Sequence, residues 1–142
     1  HIGQHINCMW RVKAKLSDPT SAGRLLAANE KKHVTWFATL DGALGHVLPM
    51  AEKTYRRLTL LEKMMTNNLP HMAGLNPRGF RTLRQKSKDL RNPSRGVVDG
   101  DLVFKFTNLS MTLKAELARK IGTSAEEIME DLAELDRSAA HF

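Results

Sequence analysis

One cysteine in 142 residues, Cys8, excludes an internal disulfide framework and a four-cysteine zinc site. It also points to a reducing compartment. Aromatic residues are scarce at 6%, with a single tyrosine and two tryptophans, so a broad base-stacking surface is not expected. No uncharged apolar run approaches the ~18 residues needed to span a bilayer, and the first residues lack the basic-then-apolar pattern of an export signal. Internal repeats and low-complexity tracts are absent as well. The catalytic inventory is equally thin. His1, His5, His33, His46, His71 and His141 are scattered, without the His-Glu-x-x-His spacing of a metalloenzyme, and His5-Ile6-Asn7-Cys8 offers only two ligands where zinc takes four. Glycine-rich phosphate loops and a Gly-x-Ser-x-Gly elbow are missing. Asp99-Gly100-Asp101 lacks the further oxygens that calcium requires and reads instead as a helix start, where carboxylates meet the positive dipole end. The sequence therefore predicts no enzyme, no metal and no cofactor.

What is present is a chain of one domain's length, with 42% hydrophobic residues, enough to bury a core. It opens at His1 inside a strand-like pattern, which reads as part of something longer. Its charge is divided. Residues 1–95 hold 17 Lys and Arg against 6 Asp and Glu, whereas residues 96–142 hold 5 against 9. Cationic density peaks at Arg78, Arg81, Arg84, Lys86, Lys88, Arg91 and Arg95, with Asp89 as the only counter-charge. A polyanion or an acidic protein surface would be drawn there.

Periodicity divides the chain in the same sense. Gly3 to Lys15 mixes Ile6, Met9, Trp10 and Val12 with polar residues at near-alternating positions, predicting a strand. Ser17 to Gly23 has loop chemistry. From His33, Val34, Trp36, Ala38 and Leu40 alternate with Thr35, Phe37 and Thr39. Asp41-Gly42 is then a two-residue turn signal, and residues 33–48 read as a β-hairpin stopped at Pro49. Beyond Pro49 the period becomes 3.6. Tyr55, Leu58, Leu61, Met65 and Leu69 predict a helix over 51–68, and Leu60 and Met64, close to Lys53, Arg56 and Lys63, suggest cover on a second face. Leu69-Pro70 ends it. Asp99 or Ser94 can cap a helix carrying Leu102, Val103, Phe106 and Leu109. Leu113, Leu117 and Ile121 mark another, closed by Gly122, and Thr123 to Glu126 has capping-box form before a last helix with Ile128, Leu132 and Leu135. The fold class expected is α+β.

Two constellations compete for function. Leu117 to Leu132 has the spacing of a helix-turn-helix, so a DNA-binding regulator is one reading. Its second helix, however, displays Glu126, Glu127, Glu130, Asp131 and Glu134, which a phosphate backbone repels. The other is a basic surface made by Lys53, Arg56, Arg57, Arg78, Arg81, Arg84, Lys86, Lys88 and Arg91, suited to sequence-independent RNA contact or to an acidic protein. Phe80 is the nearby ring for stacking.

Three runs carry a resemblance. His33-Val34-Thr35-Trp36-Phe37-Ala38-Thr39-Leu40-Asp41-Gly42, Leu48-Pro49-Met50-Ala51-Glu52-Lys53-Thr54-Tyr55-Arg56-Arg57-Leu58 and Leu69-Pro70-His71-Met72-Ala73-Gly74-Leu75-Asn76-Pro77-Arg78-Gly79-Phe80-Arg81 resemble the C-terminal end of the large scaffold subunit of the cleavage and polyadenylation specificity factor. Val98-Asp99-Gly100-Asp101-Leu102 is similar to a motif shared with related propeller scaffolds, and Ala140-His141-Phe142 looks like that subunit's terminus. The resemblance implies that residues 1–48 are the last strands of a β-propeller and residues 49–142 a helical C-terminal domain. It further implies a nuclear, non-catalytic scaffold in pre-mRNA cleavage and polyadenylation. Its partners would be the other subunits, with sequence-independent RNA contact resting on the basic surface alone, and no membrane or small-molecule substrate is expected. The chain departs from the pattern at Ser17 to Lys32 and at Gln85 to Arg95.

Overall fold

The structure, a computed structural model, describes residues 4–13, 33–70 and 96–140. Among these residues the architecture is α+β: a three-stranded antiparallel sheet and four α-helices. Strands β1 (Ile6–Lys13), β2 (His33–Thr39) and β3 (Leu44–Val47) pair in the order β1-β2-β3. Helices α1 (Glu52–Asn68), α2 (Gly100–Val103), α3 (Met111–Ile121) and α4 (Ala125–Ala140) follow, with a 3-10 turn at Phe104–Asn108 between α2 and α3. The described residues form two compact units. One comprises residues 51–70 and 96–132, and the other residues 4–13, 33–50 and 133–140. The predicted Ser17 to Gly23 loop and the whole basic segment from Arg78 to Arg95 lie outside the described residues.

In the sheet, β-branched and aromatic side chains favour the pleat, and β2 is bonded on both sides. All three buried residues of the strands belong to it: Val34, Phe37 and Thr39. They come from both faces, as the two alternating sets of the sequence require.

The β2–β3 connection corrects the expected two-residue turn. The Thr39 amide donates to the Ala43 carbonyl, at 2.9 Å, and the Gly42 amide donates to the Thr39 carbonyl, at 3.1 Å, enclosing a three-residue loop. Gly42 has φ +84°, the left-handed value that closes such a loop as a bulge. The consequence is a register shift of one. A two-residue turn at Asp41-Gly42 sets Trp36 opposite Val47, whereas the three-residue loop sets it opposite His46. The buried Thr39 hydroxyl completes the corner, accepting from the Ala43 amide at 3.0 Å and donating to the Gln4 side-chain carbonyl at 2.9 Å.

The helical unit is built on α1, which packs against α2 and α3. Leu58, Leu61 and Met65 recur on one stripe and are wholly buried, beside Leu102, Val103, Phe106, Leu117, Ala118, Ile128 and Leu132 from the later elements. Each of these side chains larger than Ala118 contributes about 1.5–3 kcal/mol by leaving water. Of the two residues expected under a second covered face, Met64 is half-buried and Leu60 is 41% exposed. Asp99, not Ser94, caps α2, its carboxylate accepting from the Leu102 amide. Leu109 falls past the end of the 3-10 turn in an extended conformation. Gly122, at φ +85°, closes α3, and the amides of Gly122 and Thr123 both donate to the Ala118 carbonyl. The cap sits one residue later than expected: the Ser124 hydroxyl accepts from the Glu127 amide at 3.2 Å, and the Glu127 carboxylate accepts from the Thr123 hydroxyl. One buried cation needs its own partner. The Lys114 ammonium donates to the Thr107 carbonyl at 2.8 Å, satisfying the end of the 3-10 turn.

Gly45 provides a test of the sheet. Its β3 position faces Phe37, and a Cβ there would lie 2.2 Å from the ring carbon Cζ. Gly45→Ala should therefore destabilise by about 1–3 kcal/mol through overpacking, read as a lowered thermal midpoint. Gly100→Ala, with open space around it, should leave the midpoint near its original value. An unchanged midpoint in Gly45→Ala would refute the close approach.

Candidate functional site

Three of the residues assigned to a basic surface fall on α1, and the helix gives them different fates. Lys53 is exposed near the helix start. Arg56 is exposed and pairs with Glu52 one turn earlier, both side chains 75% exposed. A pair so hydrated contributes little. Arg57 lies on the flank that turns toward the core. Its guanidinium donates to Asp131 Oδ2 at 2.8 Å and to the Glu127 carbonyl at 3.3 Å, and stands 3.4 Å from the Glu127 carboxylate. The Arg57 and Asp131 side chains are only 13% and 15% exposed. Arg57 is thus spent on joining α1 to α4. Arg78, Arg81, Arg84, Lys86, Lys88 and Arg91 lie outside the described residues, so the structure brings together only the α1 members of the set.

The Glu127 carboxyl is held below the ordinary range, chiefly by the Thr123 hydroxyl and then by the Arg57 charge, with a smaller pull from Lys53. A depressed carboxyl stabilises the folded state fully above its unfolded value near 4.5, and that contribution disappears as pH falls through the depressed value. The tie between α1 and α4 accordingly weakens in acid.

A second cluster escaped the sequence reading. Trp10, Trp36 and His46 occupy facing positions on β1, β2 and β3, forming a row of rings across one sheet face. The Trp36 and His46 centroids are 5.0 Å apart, within the usual range for ring pairs. Apolar side chains also stand out to solvent around the sheet: Met9 is 57% exposed, Leu40 67%, Leu44 68% and Val47 54%. The Trp36–His46 pairing was hidden by the length of the turn, and the Trp10–Trp36 pairing by the nineteen residues between the strands. Among the described residues, no group of three or more histidine, cysteine or acidic side chains could hold a metal ion. No described helix is long and apolar enough to cross a membrane.

Arg57→Ala leaves Asp131 mostly buried without its cation and should cost about 3 kcal/mol. The Arg57→Ala/Asp131→Ala double variant should recover part of this, with a coupling of about 1–3 kcal/mol in denaturant unfolding. Additive effects would show that the pair is incidental.

Comparison with known proteins gives this geometry its context. The family model described as the CPSF A subunit region matches residues 1–108, covering the sheet, α1, α2 and the 3-10 turn. Cleavage and polyadenylation specificity factor subunit 1 of Drosophila melanogaster is 41% identical over the whole chain, which spans 10% of that protein. Its Arabidopsis thaliana counterpart is 34% identical over 95% of the chain, and 9% of its own length. Protein cft1 of Schizosaccharomyces pombe is 36% identical over 72% of the chain, and 7% of its own length. The chain therefore spans about a tenth of the length of these curated relatives. The matched stretch holds both the open sheet and the helix whose cations divide between core and surface, and on this match the chain belongs to the CPSF A subunit family.

Proposed function

We propose that the chain is a non-catalytic scaffold segment of the large subunit of a nuclear pre-mRNA cleavage and polyadenylation complex. Residues 1–48 supply the closing strands of a β-propeller, and residues 49–142 a helical domain that helps hold other subunits. The observation that carries this reading is the open sheet. Only β2 buries side chains, while Met9, Trp10, Leu40, Leu44 and Val47 remain 42–68% exposed. So much apolar surface on a small sheet is suited to being covered by another surface. A propeller supplies such cover, since its blades of four strands repeat around a channel and leave only short edges. RNA contact, on this reading, is electrostatic and sequence-independent. It is drawn chiefly by the Arg78, Arg81, Arg84, Lys86, Lys88 and Arg91 segment; on α1, Lys53 and Arg56 stay exposed to a binding partner, while Arg57 is withdrawn into the core. No observation favours the DNA-binding alternative: Glu126, Glu130 and Glu134 are exposed on α4, the wrong sign for a recognition helix.

The test is affinity purification of the tagged full-length protein from nuclear extract, followed by mass spectrometry. The other cleavage and polyadenylation subunits should co-purify, and deletion of residues 49–142 should deplete at least one of them. Recovery of the intact full-length protein without any of those subunits would contradict the scaffold role.

A further inference from the structure

Helix α1 turns a mixed stripe to solvent. At 100° per residue, Lys53, Arg56, Leu60 and Lys63 fall within about 80° of one another, and all four are exposed. Leu58, Leu61 and Met65 are wholly buried on the other side, so the helix is anchored and the exposure of Leu60 is not fraying. On α1 itself Glu52 borders the stripe and is engaged by Arg56, and Glu127 of α4, beside Arg57, is close enough to Lys53 to feel its charge. Among the described residues no carboxylate forms an ion pair with Lys53 or Lys63. The result is an exposed leucine framed by cations.

We propose that this face docks an acidic amphipathic segment of a partner protein. An apolar side chain of that segment sits on Leu60, and its carboxylates face Lys53 and Lys63. The partner's identity as another subunit of the complex rests on the scaffold reading above. Lys53 and Lys63 are ten positions apart, about 15 Å along the axis, which some three turns of helix can match. Charge complementarity selects the occupant. The segment from Arg78 to Arg95 carries seven cations against Asp89 and is repelled by this stripe. The acidic helix of this chain, α4, already commits Glu127 and Asp131 to Arg57 on the neighbouring flank. Single-stranded RNA fits less well, because the stripe has no ring on which a base can stack and RNA gains nothing from Leu60.

The test uses the full-length protein and two fluorescent probes read by anisotropy. One is a 14-residue peptide of glutamates with a leucine at every fourth position. The other is a 14-nucleotide oligouridine. The peptide should bind, more weakly as salt rises. Both Leu60→Asp and the pair Lys53→Glu/Lys63→Glu should weaken it at least tenfold, with thermal midpoints retained. Lys105→Glu, at an exposed lysine of the 3-10 turn, should leave binding unchanged. Oligouridine binding should not respond to Leu60→Asp. Absent peptide binding, or binding indifferent to both variants, overturns the proposal, as does an equal loss of oligouridine binding in Leu60→Asp. The same variants, purified from nuclear extract, separate the two readings. Wild-type protein that recovers the other subunits while the peptide ignores the variants removes only this docking face. Wild-type protein that recovers none removes the scaffold reading, and the peptide titration still judges the face.

Discussion

The sheet depends on β2. It is the strand with partners on both sides, and it supplies every buried side chain of the three strands. Three strands with one apolar face are close to the minimum for a stable sheet, and here the apolar residues are shared between two faces. Phe37 covers Gly45 on one, while Trp10, Trp36 and His46 line the other. Neither face of β1 or β3 buries its side chains among the described residues, so the sheet has more apolar surface than it can cover by itself. This deficit is the physical reason to place it in a larger assembly of strands.

The helical unit is built differently. Its core is closed by side chains from α1 through α4, many of them wholly buried, and its charges follow from helix geometry. Arg57 and Arg56 are adjacent in sequence but lie 100° apart around α1. One meets the mostly buried Asp131 and the half-exposed Glu127, and the other, among the described residues, pairs with Glu52 in water. A basic helix thus serves two purposes. Its flank joins α1 to α4, and its outer stripe keeps cations and Leu60 available to a partner.

Much of this was legible in the amino-acid order. The change of period at Pro49 locates the passage from strand to helix, and Gly122 marks the end of α3 because only a residue tolerant of φ +85° fits there easily. The Ile128, Leu132 and Leu135 stripe of α4 is buried as its spacing requires. What the sequence hid was set by single-residue registers. Asp41-Gly42 resembles a two-residue turn, but Gly42 closes a three-residue loop, and that shift decides whether Trp36 faces Val47 or His46. Thr123 and Ser124 are both competent caps, and the choice between them depended on which placed its hydroxyl within reach of a first-turn amide, here Ser124 with the Glu127 amide. The burial of Arg57 was invisible for a different reason: its partner lies 74 residues away, on a helix whose acidity reads in sequence as a solvent-facing property.

The claim on which this account rests is that the sheet is completed from outside while the helical core is completed from within. Amide hydrogen exchange, compared between the 142-residue chain and the full-length protein containing it, tests this directly. Amides of Ile6–Lys13 and Leu44–Val47 should exchange far faster in the short chain, whereas those of residues 58–66 in α1 should be equally protected in both. Equally slow exchange across all three strands in a monomeric short chain would contradict the account.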